Sequence, residues 1–299
     1  MTAAVSFVVV VAALFGLAIG SFLNVVAYRV PAGISLLRES RCPECDTQIR
    51  WFQNVPVASW LALRARCANC ATGISARYPI VEAATGLTFA AVVWGAASAR
   101  PIDARPVDGR LWFATAEFWG VLVTILVFAG LSIALTLIDL DTKRLPNAIV
   151  LPGWLSIIVL LLATTVLTGL FPAPGGELDP ASGWSAIDWS PFVRALIGGL
   201  ALFLFYYIVR WISPRGMGGG DVKLAGLLGT VMGWFGWGSL AFGAFAAFLL
   251  GGVFGAALLA LGRARRRTAI PFGPWMIAGA WVGIAVGEPL GRWYMGMLG

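Results

Sequence analysis

Two aspartates and four cysteines are the residues of this chain whose types and spacing could do chemistry. Asp139 lies in Leu137-Ile138-Asp139-Leu140-Asp141-Thr142-Lys143-Arg144-Leu145-Pro146-Asn147, and Asp221 follows Gly216-Met217-Gly218-Gly219-Gly220. The chain contains no histidine. Ser-His-Asp and Cys-His catalysis and the HExxH metalloprotease are thereby excluded. Hydrolysis without histidine can run on a carboxylate pair, which shares a proton so that one member acts as base and the other as acid on one water. The glycines before Asp221 predict a backbone that substrate can approach closely, with no Cβ in the way. A plainer reading stands beside this one. Asp139 or Asp141 can mark a helix end, Asn147 can cap the next helix after Pro146, and Asp221 can cap its own. Spacing does not say whether the two aspartates meet.

The cysteines fall as Cys42-Pro43-Glu44-Cys45 and, 21 residues later, Cys67-Ala68-Asn69-Cys70. Two CxxC knuckles read as a four-thiolate zinc site, each turn bringing two sulfurs to one metal. Such a closed site is structural. The alternatives are two disulfides, which a reducing compartment disfavours, and four free thiols. The segment is too short to build a large core, which gives a metal staple a physical reason.

These residues must be positioned by elements that the composition restricts. Of 299 residues 59% are apolar and only 12% charged, with a mean hydropathy of +0.86. Soluble domains carry about 25% charged residues. The composition excludes disorder, a nucleic-acid-binding domain and a small secreted disulfide scaffold. It predicts an all-α polytopic membrane protein, since lipid cannot satisfy open backbone groups. Runs of roughly 20 apolar residues fall at 3–27, 79–98, 118–138, 148–170, 192–212, 222–238, 239–262 and 270–290. About eight transmembrane helices are expected, with a small zinc-ribbon-like segment between the first and second. The organisation expected is a first helix at 1–27, a four-cysteine zinc-binding segment at 28–78 and a membrane core at 79–299. The first run has no basic residue before it, so it reads as an uncleaved helix with its N-terminus outside.

That start places 28–78, 139–147, 213–221 and 263–269 inside. Those segments and the adjoining helix ends hold 16 of the 21 basic residues, including Arg29, Arg215 and the run Arg263 to Arg267, read as a topology anchor. Arg100, Arg105, Arg110, Arg194 and Arg292 stay outside with Asp103, Asp108, Glu177, Asp179 and Asp188. The asymmetry obeys the positive-inside rule. No internal repeat is evident. The Gly-Gly pairs at 198–199 and 251–252 suit close helix packing.

In order along the chain stand Gly20-Ser21-Phe22-Leu23-Asn24-Val25-Val26-Ala27-Tyr28-Arg29, the first CxxC, Asn54-Val55-Pro56-Val57-Ala58-Ser59-Trp60-Leu61, the second CxxC and Arg77-Tyr78-Pro79-Ile80-Val81-Glu82. The aspartate-to-Leu-Pro segment follows, then Gly218-Gly219-Gly220-Asp221 and Pro271-Phe272-Gly273-Pro274. This set resembles the type IV prepilin leader peptidase/N-methyltransferases, a family of GxGD-type membrane aspartic peptidases. The resemblance implies an eight-helix bacterial inner-membrane enzyme with its active site and zinc segment at the cytoplasmic face. It implies Asp139 and Asp221 as the catalytic pair, Asp139 over Asp141 because the family's aspartate stands seven residues before the proline. It implies prepilin and pseudopilin substrates cleaved after Gly at the end of a short basic leader. It further implies N-methylation of the new terminus by S-adenosylmethionine, associated with the segment at 28–78. Asn147 departs from the family's usual Asp and is read as a cap. The partners expected are these substrates and the lipid bilayer, with no nucleic acid. The alternative functions are an assembly or docking factor of a pilus or secretion machine, and an ion-coupled transporter.

Overall fold

The computed structural model describes residues 3–98, 115–171, 187–214, 217–262 and 271–298. Of the residues singled out by charge or motif, Arg100, Asp103, Arg105, Asp108, Arg110, Glu177, Asp179, Arg215, Gly216 and Arg263 to Arg267 lie outside these. The chain divides into two units, Met1–Phe113 with Ile125–Ala134, and Ala114–Thr124 with Leu135–Gly299.

In the first unit α1 (Ala3–Arg29) packs along α3 (Arg77–Ser98). Small residues let the two backbones approach. A Cβ on Gly16 would stand 2.9 Å from the Gly86 Cα, and one on Gly20 would stand 2.7 Å from the Glu82 Cα. Asn24, buried between the helices, donates to the Gly20 and Tyr78 carbonyls, both at 3.3 Å. The cysteine segment, a 3₁₀ turn (Trp51–Asn54) and the short α2 (Ala58–Ala62) connect α1 to α3.

α4 (Ala116–Thr142) contributes its middle to the first unit and its ends to the second. The second unit continues with α5 (Asn147–Leu170), α6 (Ser190–Ile212), α7 (Gly219–Phe235) and α8 (Trp237–Ala260). It closes with α9 (Gly273–Val282), a π-helical turn (Gly283–Gly287) and α10 (Glu288–Leu298). α7 is its centre, buried without interruption from Leu224 to Trp234. α6 reaches it through glycine: a Cβ on Gly198 would meet the Gly229 carbonyl at 2.7 Å. Arg194 donates to the Gly233 and Trp234 carbonyls at 2.8 and 2.6 Å, satisfying the C-terminal end of α7. Gly236 then turns the chain into α8 at φ +150, a conformation that L side chains rarely adopt. Of the second glycine pair, Gly251 approaches Phe272, but a Cβ on Gly252 would meet no described residue within 4 Å.

The fold class is as expected: all helices, and no strand among the described residues beyond two isolated bridges. Among the described residues six helices are long and apolar enough to cross a membrane, at 5–29, 77–98, 116–142, 147–170, 190–212 and 237–260. The expected run at 222–238 falls on α7, a 17-residue helix that ends at Phe235, so the break with α8 comes earlier than the sequence suggested. The run at 270–290 falls on α9, the π turn and the start of α10. Large apolar side chains point outward along these helices, among them Phe7, Leu14, Leu155, Phe245 and Val253. An apolar surface of that extent suits a bilayer and would cost free energy in water. The chain is a multi-pass membrane protein.

Candidate active site and metal centre

Asp139 occupies the last turn of α4 and is 4% exposed. The helix stops there because Lys143 takes the left-handed conformation, φ 53, and returns its N–H to the Asp139 carbonyl at 2.9 Å. The Asp139 Oδ2 accepts from the Gly273 N–H at 3.1 Å. Gly273 is the first residue of α9, so this donor is one of the four that a helix leaves unsatisfied at its N-terminus. A Cβ on Gly273 would lie 2.7 Å from that oxygen, which requires glycine.

Asp221 is the third residue of α7 and half-buried. Its Oδ2 accepts from the Gly218 N–H at 3.0 Å, the acidic half of a capping box. The Oδ1 atoms of Asp139 and Asp221 bond to no described residue. The two carboxylates lie within electrostatic range of each other. Leu145 bridges their supports: a Cβ on Gly220 would meet the Leu145 Cβ at 2.8 Å, and one on Gly273 its Cδ1 at 3.6 Å. The Arg210 guanidinium lies over Gly219, and its charge acts on Asp221. The Tyr206 ring, 1% exposed, is walled by Phe248 and by Phe272, with ring centroids at 5.6 and 6.4 Å.

The arrangement can do one thing readily. Each carboxylate has one oxygen fixed by a backbone N–H and one oxygen without a partner among the described residues. Two such oxygens facing a shared water can divide the roles of base and acid. The glycines at 219 and 220 also serve the protein's own packing. Their missing Cβ atoms make room for Arg210 and Leu145 of the protein itself. Asn147 is not a cap either. α5 begins at Asn147 with Pro146 as its cap residue, and the Asn147 Oδ1 accepts from the Lys223 Nζ at 2.8 Å. That bond spans 76 residues of sequence, so spacing could not reveal it.

The four cysteines of the first unit, Cys42, Cys45, Cys67 and Cys70, bring their Sγ atoms within 4.8 Å of one another, and no disulfide joins them. Cys42 and Cys70 are 3.8 Å apart. Tetrahedral zinc with bonds of about 2.3 Å needs sulfurs about 3.8 Å apart, so the donor set and its size fit zinc. The Thr47 hydroxyl beside Cys45 brings that thiol down to about 6, and backbone N–H groups at Cys70 and Asn69 lower Cys67. Cys45 and Cys67 thus lean toward the thiolate form that a metal requires, while burial and the neighbouring thiols push Cys70 up to about 12.

The knuckles also correct the expectation that the chain has no repeat. Arg41-Cys42-Pro43-Glu44-Cys45-Asp46-Thr47-Gln48-Ile49 and Arg66-Cys67-Ala68-Asn69-Cys70-Ala71-Thr72-Gly73-Ile74 share R-C-x-x-C-x-T-x-I. They share geometry as well. Cys42 and Cys67 donate to Thr47 and Thr72, Asp46 and Ala71 take positive φ, and isolated bridges join Arg41 to Gln48 and Arg66 to Gly73.

The chain was compared with known proteins. The profile of the bacterial peptidase A24 N-terminal domain matches residues 14–96, and that of the type IV leader peptidase family matches 126–259. A prepilin leader peptidase/N-methyltransferase of Stutzerimonas stutzeri is 34% identical over 96% of this chain and 93% of its own length. Its counterpart in Pseudomonas putida is 32% identical over 98% and 96%, and that in Neisseria gonorrhoeae 31% over 92% and 90%. No solved structure matches the chain.

Proposed function

The chain belongs to the prepilin leader peptidase/N-methyltransferase family, and on that premise we propose that it removes the leader of prepilins and pseudopilins after Gly and then methylates the new N-terminus. The observation that carries the chemistry is the pair of backbone-held carboxylates. In this reading Asp139 and Asp221 activate one water for attack on the scissile carbonyl. The Gly218 and Gly273 N–H groups hold one oxygen of each carboxylate and leave the other to the reaction. The substrate's apolar helix stays in the bilayer while the leader junction meets the two acids at the membrane boundary.

Cys42, Cys45, Cys67 and Cys70 would hold zinc, which would supply structure to the segment at 28–78 and take no part in cleavage. S-adenosylmethionine would supply the methyl group. The remainder, 79–299, would form the peptidase core. The inner membrane of a bacterium, an outward N-terminus and an inward cysteine segment complete the reading, supported by the distribution of Lys and Arg. Neither the transporter nor the docking-factor alternative is favoured by the family.

Co-expression with a prepilin tests this. Loss of the leader, read as a mobility shift, together with a methylated N-terminus by mass, is the expected result. An unprocessed prepilin beside a correctly inserted protein would contradict it.

A further inference from the structure

Tyr206 packs between the two acid-bearing parts of the site, and the second unit fixes its place. α6 and α7 run antiparallel in close contact. A Cβ on Gly198 would meet the Gly229 carbonyl, one on Gly199 would meet the Thr230 Oγ1, and Arg210 covers Gly219. That register brings Tyr206, one helical turn before Arg210, to the level of Asp221. On its other side the ring meets Phe272, the residue before Gly273, whose N–H holds Asp139. Tyr206 therefore stands between Asp221 and the turn that holds Asp139.

Packing explains the ring but not the hydroxyl. Phe205, Phe248 and Phe272 lie around Tyr206, and a phenylalanine would fill the same space. Tyr206 is as enclosed as Asp139. A buried phenol O–H normally finds an acceptor, yet that of Tyr206 bonds to no described residue. Burying a polar group without a partner works against folding. The charge of Asp221 acts on this hydroxyl, so it lies near an acid without being bonded to it. The second oxygens of Asp139 and Asp221 likewise bond to no described residue. The acceptor that the hydroxyl lacks in the protein is one that a substrate carbonyl can supply.

We propose that Tyr206 is a catalytic residue of leader removal, donating its phenolic O–H to the scissile carbonyl oxygen as the water attacks. The proposal rests on the two-aspartate peptidase reading above and adds the group that meets the charge developing on that oxygen. One carboxylate takes a proton from the water, the water oxygen bonds to the carbonyl carbon, and the C=O π pair moves onto the carbonyl oxygen. Tyr206 stabilises the resulting oxyanion and keeps its own proton. The protonated carboxyl then gives its proton to the leaving nitrogen, the C–N bond breaks, and the oxyanion pair re-forms the carbonyl. The leader acid and a free amine result, and the acid pair ends with the one proton it began with. A hydrogen bond that strengthens as charge develops lowers the barrier more than it tightens substrate binding.

Tyr206→Phe removes the hydroxyl and keeps the ring. In the full chain in lipid, acting on a prepilin, kcat is expected to fall about 10²-fold while KM is little changed. Because the hydroxyl has no partner among the described residues, the unfolding temperature is expected to stay level or rise slightly. Lost rate with kept stability separates a catalytic hydroxyl from a structural one. An unchanged kcat would overturn the proposal, and so would a fall in kcat matched by a fall in unfolding temperature. A displaced pH profile with full kcat at its optimum would also overturn it, since Tyr206 would then act only through Asp221. Tyr207→Phe, at the exposed neighbouring position, is expected to cleave at the unaltered rate, and an equal loss there would overturn the assignment. A wild-type chain that leaves the prepilin uncut would overturn the peptidase reading itself, a failure distinct from that of Tyr206.

Discussion

Asp139 and Asp141 lie two residues apart and have opposite surroundings. Two helical residues rotate the side chain by about 200°, so Asp139 turns inward to the Gly273 N–H while Asp141 is exposed. Asp141→Asn is accordingly expected to leave leader cleavage within a few-fold of the unaltered protein in a co-expression assay. A large loss would mean that the wrong aspartate has been paired with Asp221. The Asn147–Lys223 bond also belongs to this scale. Asn147→Asp would turn it into an ion pair at an exposed position. A gain of about 0–1 kcal/mol is expected, measured as a small rise in thermal unfolding temperature in detergent. A destabilised protein would contradict the geometry. The two aspartates were legible in the sequence because few residue types can do hydrolysis once histidine is absent. The partner of Asn147 was not, because a contact between distant residues leaves no trace in local spacing.

The candidate site is built from helix ends. α4 stops at Lys143, while α7 and α9 start at Gly219 and Gly273, and each start presents an N–H to a carboxylate nearby. Apolar run lengths reveal helices but not which ends converge. They also misjudge breaks that depend on one residue, as at Gly236. Gly273→Ala would place a Cβ against the Asp139 Oδ2. Cleavage is expected to fall about tenfold or more, with a destabilisation of about 1–3 kcal/mol from overpacking. Retained full activity would show that the close approach of α9 to Asp139 does not matter. The knuckles are the other element whose form follows from sequence. Cys→Ser at any of the four positions is expected to release one equivalent of zinc, by metal analysis, and to expose the segment to protease, with a smaller effect on cleavage. A purified protein without zinc would contradict this. The R-C-x-x-C-x-T-x-I repeat was present in the sequence, but it occupies two short stretches of a long apolar chain, and pairing the cysteines obscures the residues that flank them.

For the whole molecule, composition alone settles the class. A chain with 12% charged residues cannot cover a globule of this size with polar surface. Counting spans is harder than recognising them. α7 is only 17 residues long, yet it is the most enclosed helix of its unit, and the C-terminal run contains a π turn. These two are the expected runs that do not appear among the six helices long and apolar enough to span. Orientation was read from charge alone. A reporter fused after residue 50 should be active only if it faces the cytoplasm.

The account depends most on Asp139 and Asp221 acting together on one water. The direct measurement is the cleavage rate of a prepilin by Asp139→Asn, by Asp221→Asn and by the double variant, each shown to insert normally. Each single change is expected to cost about 10²–10⁴-fold, and the double no more than the worse single, because both acids serve one step. Cleavage at the unaltered rate by either single variant would contradict the paired-acid mechanism.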